Sequence, residues 1–311
     1  MKIEQYLKNL TSPSGEVDVV LDTDAYNEID DQFAISYLLS CPERLHVKGI
    51  CAAPFLNCKS VSPKDGMEKS YLEILKLLTL AGKEDLEDIV FKGSENYLTD
   101  ENTPIESQAA DFMADLAKKY SPEKPLYIVS IGAVTNVASA ILKNPDMKEN
   151  CVIVWLGGHA KHVSNAAYEF NMQQDIAAAR IVFGCGVPLV QLPCMGVVDR
   201  FATSKYELLH WLKGKNALCD YLCDNTVSEA ETYGAGKPWT RVLWDVTAVA
   251  WLLNDGDRFM SDRLTPSPVP EYDKRYACDE NRHLIKCVYQ INRDELFEDL
   301  FKALGERYEN I

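Results

Sequence analysis

Five carboxylates fall within ten positions near the start of the chain: Asp22, Asp24, Glu28, Asp30 and Asp31, directly after the apolar run VDVVL (17–21). Charges of one sign at this density repel, so the stretch weakens a fold unless a cation joins it or the groups act as helix caps. Asp30 and Asp31 open the run DDQFAISYLLS (30–40), in which Phe33, Ala34, Tyr37 and Leu38 form an apolar stripe at helical spacing. Either aspartate could cap that helix and complement its positive end. Capping leaves Asp22 and Asp24, at the end of the preceding run, unexplained. A hard divalent cation accounts for the whole group, because Ca²⁺ and Mg²⁺ gather several oxygen ligands while zinc favours His and Cys. An EF-hand loop does not fit, since Tyr26 and Phe33 stand where that loop needs oxygen ligands.

The elements that must position these acids follow from hydrophobic rhythm. Val/Ile-rich runs at 17–23, 45–53, 125–132 and 151–158 are each followed by a helical pattern, at 30–40, 66–82, 133–144 and 174–184. Further strands are expected at 187–193 and 287–291. The runs hardly alternate, as in a sheet buried on both faces. The pattern predicts an α/β fold with a largely parallel, open sheet flanked by helices, and ligands then bind beyond the carboxyl ends of the strands. The acidic stretch leaves its strand at that edge. Residues 203–254 turn helical, so we expect a helical cap over about 203–243 on a single domain covering 1–311. The stretch 265–281 reads as a surface excursion before the last strand and a terminal helix over 294–308.

Composition narrows the partners. The 32 basic and 47 acidic residues give a net charge of −15, which argues against nucleic-acid backbones and anionic membranes as partners. No apolar stretch reaches the length of a membrane span, and MKIEQYLKNLTSPSGEV lacks a signal core. The 10 cysteines are scattered singly, which predicts buried free thiols in a cytoplasmic protein.

Three later segments join the acidic loop in order: SIGAVTNVASAI (130–141), WLGGHAKHVSNAAYEFNMQQDIAAARIVF (155–183) and WDVTAVAWLL (244–253). With DTD…DD they resemble the inosine-uridine preferring nucleoside hydrolases, over roughly three quarters of the chain. The resemblance implies a Rossmann-like core and a Ca²⁺ cofactor held by the side chains of Asp24, Asp31 and Asp245 and the backbone carbonyl of Thr135. It implies hydrolysis of ribonucleosides to ribose and free base, with Asp24 as general base toward the attacking water. Asp30 and Asn171 would grip the ribose hydroxyls, Glu169 and Asn165 would lie near the 5′ end, and Asn57 would contact the sugar. Asp22 would support the ligands from behind. A homo-oligomer, dimer or tetramer, serving purine and pyrimidine salvage, is the implied setting.

Several residues have a plainer reading as well. Asp245 could be an ordinary helix cap, and Thr135 starts a helix, where Thr is a common cap. Glu169 and Asn171 flank Phe170 in a segment that reads as extended.

Two departures from the family pattern stand out. The spacer Ala25–Ile29 is two residues longer than in many members, which could bring Tyr26, Asn27 or Glu28 over the sugar or the metal. Trp244 stands where purine- and pyrimidine-accepting members often carry a histidine. Trp244 could instead stack on the base and favour its protonation by solvent, a role tryptophans fill in some purine-preferring members, Tyr233 and Trp239 could build the facing wall, and His159 or His162 is a candidate acid. Two rival readings remain at this level. One is a Mg²⁺-dependent phosphohydrolase of the haloacid dehalogenase kind with Asp22 as nucleophile. The other is a ribose- or nucleoside-binding protein without turnover.

Overall fold

The structure is a computed structural model and describes residues 1–307. Its strands are β1 (Val17–Thr23), β2 (Leu45–Ala52), β3 (Val90–Lys92), β4 (Leu126–Ser130), β5 (Cys151–Leu156), β6 (Leu189–Leu192), β7 (Ala202–Thr203), β8 (Arg241–Val242), β9 (Met260–Pro266), β10 (Val269–Pro270), β11 (Tyr276–Ala277) and β12 (Leu284–Ile291). Eight of them form one sheet in the order β3-β2-β1-β4-β5-β6-β12-β9, and β7-β8 and β10-β11 are separate ribbons. Every pair in the large sheet is parallel except β12 with β9. The fold is the α/β arrangement expected from the rhythm of the sequence.

Both faces of the sheet are covered. Val19 and Leu21 enter one apolar cluster with Phe33, Leu77 and Trp251, while Val20 enters the other with Ile128, Val137 and Val182. Successive residues of a strand point to opposite faces, so a strand clothed on both sides must be apolar at nearly every position. β4 and β5 are buried throughout.

The sheet winds outward from β1 through β2 to β3, then returns to place β4 on the other side of β1. That reversal opens a crevice beyond the carboxyl ends of β1 and β4. The residues carried there are Asp24, directly after β1, and Ile131 and Gly132, directly after β4, with Asp22 beneath them.

Three expectations need correction. The stretch 265–281 is only partly an excursion: β9 pairs antiparallel along β12 as the sheet's edge. Its Asp262 and Arg263 hide it from hydropathy, and polar side chains are common on edge strands. The continuous helical run within 203–254 is broken at 212–216, between helices Lys205–Trp211 and Ala217–Gly234, where Gly214 takes a positive φ of 81°. Of the cysteines, all of them free, Cys58 and Cys278 are exposed rather than buried. The terminal helix runs Arg293–Arg307, and Tyr308 lies outside the described residues. Among the described residues no helix is long and apolar enough to cross a membrane.

Candidate active site

Asp22 is the site's foundation. Its Oδ1 accepts from Asn136 Nδ2 at 2.8 Å and its Oδ2 from Ser130 Oγ at 3.1 Å. Asn136 also donates to the Ala52 carbonyl at 3.2 Å, so one buried group ties β1, β2 and β4 together. Burial pushes the Asp22 carboxyl up to about 7. It has no face on the crevice, so it cannot serve as the nucleophile that the phosphohydrolase reading requires.

Above it lies a cavity of about 240 Å³, one wall of which is Asp24, Asp30, Asp31 and Asp245. Asp30 and Asp31 stand on the first turn of helix Ile29–Leu39, but the cap position is Glu28, and its side chain makes no cap bond. Asp245 occupies the cap position of helix Val246–Trp251 and likewise makes no side-chain cap bond. The capping explanation therefore fails for these acids. Oxygens of Asp30, Asp31 and Asp245 lie within 4.8 Å of one another. Both carboxylate oxygens of Asp24, and Oδ1 of Asp30, are buried with no hydrogen-bond partner. Thr23 Oγ1 donates to Asp31 Oδ1.

Burial, then repulsion from neighbouring acids, raises the carboxyls of Asp24, Asp30 and Asp245 far above the usual range. Burial raises Asp31 to about 7, against hydrogen bonds from Thr23 and Asp245. Buried acceptors without donors are costly, and a cluster of them built only from oxygen suits a hard divalent cation. Asp24 reaches the cavity over Gly132, where an added Cβ would lie 3.1 Å from Asp24 Oδ1. Gly132→Ala is expected to displace this carboxylate by a few tenths of an ångström and lower kcat about tenfold. Steady-state kinetics beside a melting curve would separate this from loss of fold.

Thr135 is not on the cavity. It begins helix Thr135–Lys143, where a carbonyl points along the axis, and its hydroxyl donates to Asp175 Oδ2 at 2.7 Å. Two residues that line the cavity, Ile131 and Leu156, each accept from Asn171 Nδ2 at 3.1 Å through their backbone carbonyls.

The second wall grows from the Gly-Gly turn after β5. Gly158 has a φ of +75°, and a Cβ there would fall 1.9 Å from Tyr276 Oη. Its N–H donates to Glu169 Oε2 at 2.8 Å. Glu169 itself is extended but Phe170 and Asn171 are not: Glu169 caps helix Phe170–Gln174, accepting from Asn171 N at 2.9 Å and Met172 N at 3.0 Å. Burial still holds its carboxyl above the ordinary range despite these donors. Helical geometry puts Glu169, Phe170 and Asn171 on the cavity together. His159 also lines it; its Nδ1 accepts from Met195 N at 3.2 Å, so the neutral ring carries its proton on Nε2. His162 packs against Gly196 instead, and Asn165 is exposed and off the cavity.

The family model "Inosine-uridine preferring nucleoside hydrolase" matches residues 19–298. The chain belongs to this family. It is 27% identical over 228 residues to "Probable uridine nucleosidase 2" of Arabidopsis thaliana, covering 66% of this chain and 67% of that protein. It is 29% identical over 196 residues to "Pyrimidine-specific ribonucleoside hydrolase RihA" of Escherichia coli O1:K1 / APEC, covering 55% and 58% respectively. The match thus spans less than two thirds of that protein. Two solved structures share the fold: "Purine-Preferring Ribonucleoside Hydrolase from Gardnerella vaginalis", with TM-score 0.76, 21% identity and coverage of 94% of this chain and 100% of that one, and "Plant nucleoside hydrolase - PpNRh1 enzyme", with TM-score 0.74, 19% identity and coverage of 93% and 99%. Membership supports hydrolysis of ribonucleoside N-glycosidic bonds.

In this nucleoside hydrolase the lengthened loop does reach the site. Asn27 and Glu28 line the cavity, while Tyr26 turns outward. Asn57 does not line it; its Nδ2 donates to Asn27 Oδ1 at 2.6 Å, so it meets the cavity only through that neighbour. Asn57→Ala is expected to cost about 1 kcal/mol, roughly fivefold in kcat/KM, with no change in melting temperature beyond a few degrees. Lys59 Nζ bonds the Asn27 carbonyl at 2.7 Å and Glu229 Oε2 at 2.6 Å. Arg241 pairs with Glu229 at 2.7 Å and Glu28 at 3.2 Å, which ties the loop to helix Ala217–Gly234. Trp244 lines the cavity as expected, but Tyr233 and Trp239 do not; Trp239 packs on Gly234.

Reading the sequence missed Ile131, Leu156, Phe170, Cys194 and Met195, all on the cavity. Except for Phe170, each lies at or just beyond the carboxyl end of β4, β5 or β6, so their position relative to the strand ends was the available signal.

Proposed function

We propose that the chain hydrolyses ribonucleosides to ribose and free base in a Ca²⁺-dependent reaction with Asp24 as general base. The observation that carries this reading is the pair of buried, unpartnered oxygens on Asp24, beside three further carboxylates in one cavity. Asp24, Asp31 and Asp245 would hold the ion, with the carbonyl of Ile131 in the part first given to Thr135. When bound, the ion supplies positive charge that keeps these acids ionised and makes the attacking water more acidic.

The chain's own residues account for the remaining steps. Asp24 takes a proton from water as its oxygen attacks C1′. Asp30 and Asn171 grip the ribose hydroxyls, and Glu169, held by three backbone N–H groups, meets the 5′ end. The carboxylate-rich wall stabilises the positive charge that develops on the sugar ring. Trp244 packs against the ring that departs. The acidic net charge of −15 supports a role independent of nucleic acids, and a cytoplasmic homo-oligomer working in salvage completes the reading.

A release assay over purine, pyrimidine and pyridinium ribosides, with and without a chelator, tests this. Turnover that chelation abolishes and Ca²⁺ restores is the expected result. Calorimetric binding of ribose or nucleoside with no turnover over hours would replace the enzyme by a binding protein.

A further inference from the structure

We infer that Asn27, on the lengthened loop after β1, donates its side-chain amide to a ribose hydroxyl oxygen and makes the site selective for that hydroxyl. The inference deepens the reading above and rests on it. It starts from the orientation of two amides. The backbone N–H of Lys59 donates to Asn57 Oδ1 at 2.8 Å. A backbone N–H has only a hydrogen to offer, so the Asn57 amide turns its oxygen to Lys59 and its Nδ2 to Asn27. Asn57 Nδ2 then donates to Asn27 Oδ1 at 2.6 Å, which engages the oxygen of the second amide. Asn27 Nδ2 has no partner among the described residues, and the residue lines the cavity. Asn27 therefore brings a donor to the site.

Its backbone is held on both sides. Asn27 N donates to the Asp24 carbonyl at 2.7 Å, and the Asn27 carbonyl accepts from Lys59 Nζ at 2.7 Å. Lys59 Nζ is itself paired with Glu229 at 2.6 Å, on helix Ala217–Gly234. A donor fixed in this way loses little freedom when a ligand arrives.

A donor is what the sugar grip otherwise lacks. A hydroxyl gives one hydrogen and accepts through its oxygen. Asn171 is the other amide on the cavity, and its Nδ2 uses both hydrogens on the Ile131 and Leu156 carbonyls, each at 3.1 Å. It offers the sugar only Oδ1, an acceptor. A ribose hydroxyl that gives its hydrogen to Asn171 Oδ1 or to the Asp30 carboxyl still has an oxygen to satisfy, and Asn27 Nδ2 supplies that bond. The acceptor is placed on the sugar because Asn27 shares one connection with Asp24 and Asp30, the groups given to C1′ and the hydroxyls, whereas the departing ring is given to Trp244. Asn57 is then a positioning residue, which sets the end of the Asn27 amide that meets the sugar.

The test uses the full chain with Ca²⁺ and compares kcat/KM for uridine, inosine and the 2′-deoxy and 3′-deoxy counterparts of each. Asn27→Ala is expected to lower kcat/KM about 30-fold for both ribonucleosides. For one of the two deoxy series the loss should stay below threefold, because there the contact is already missing. Asn27→Leu keeps the shape without the donor and should match Asn27→Ala. Asn57→Ala should give the same pattern at about fivefold. Equal losses on the ribonucleosides and on both deoxy series overturn the inference, as does a loss that differs more than tenfold between uridine and inosine, which would put the contact on the base. The hydrolase assignment survives either result, since the wild type still releases base. If no ribonucleoside is cleaved, that assignment falls, and titration calorimetry with ribose, 2-deoxyribose and 3-deoxyribose decides the role of Asn27. A roughly tenfold weaker Kd for ribose in Asn27→Ala, with one deoxy sugar unchanged, supports it; equal weakening of all three overturns it.

Discussion

Asp24→Asn is expected to lower kcat by roughly three orders of magnitude or more while leaving the fold intact. A positioned general base contributes about 10²–10⁴ in rate, and removing a charge from the cation's ligands adds to that loss. The amide is nearly isosteric with the carboxylate, so packing over Gly132 is preserved. In the metal-free protein the variant should melt no lower than wild type, because it removes a buried acid whose ionisation is disfavoured and whose two oxygens have no partner. Single-turnover kinetics beside calorimetry would check both halves. Near wild-type turnover in this variant would show that another group accepts the proton.

The second large effect is linkage between Ca²⁺, pH and stability. Burial raises Asp22 and Asp31 to about 7, and Asp24, Asp30 and Asp245 also move up. Unfolded aspartates ionise near pH 4. Between pH 4 and 7 the metal-free folded state therefore keeps protons that the unfolded chain has lost. Stability from these groups is fully present below pH 4 and is lost as pH rises through 7. A cation that binds only the ionised cluster reverses this for its ligands. Saturating Ca²⁺ at about 1,000 times its dissociation constant should add about 4 kcal/mol at pH 8, near 8 °C at about 2 °C per kcal/mol. At pH 5 the protons compete with the ion, and the shift should shrink to about 2 °C or less. Scanning calorimetry at both pH values, with EDTA and with Ca²⁺, would measure it. Equal shifts at both values would mean that the ion binds elsewhere. Asp22→Asn isolates the part that belongs to the strand-tying aspartate alone.

The sequence by itself determined the layered α/β architecture, because a strand buried on two faces must be apolar over most of its length, as VVL in β1, LYIV in β4 and CVIVWL in β5 are. It also placed Asp24, Asp30 and Asp31 on one connection at the carboxyl end of β1, and the structure brings all three to the cavity. The join to Asp245 came through family resemblance. Physically it depends on contacts between helices Ile29–Leu39 and Val246–Trp251, more than 200 residues apart in the chain.

Only the tertiary structure decided which groups line the cavity. A backbone carbonyl leaves no mark on side-chain identity, so only the turn of the chain after β4 shows that Ile131 lines the cavity and Thr135 does not. Glu169 has the extended backbone of a cap residue, with Asn171 and Met172 N–H as local partners, and only its bond from Gly158 N–H depends on how the turn after β5 packs. Asn57 was placed on the sugar, yet it lies off the cavity and donates to Asn27, which does line it. Edge strand β9 stayed hidden because an edge needs backbone pairing on one side only and tolerates the polar side chains that erase its periodicity. Local pattern fixes what each segment is; which groups face one another is set by packing between segments far apart in the chain.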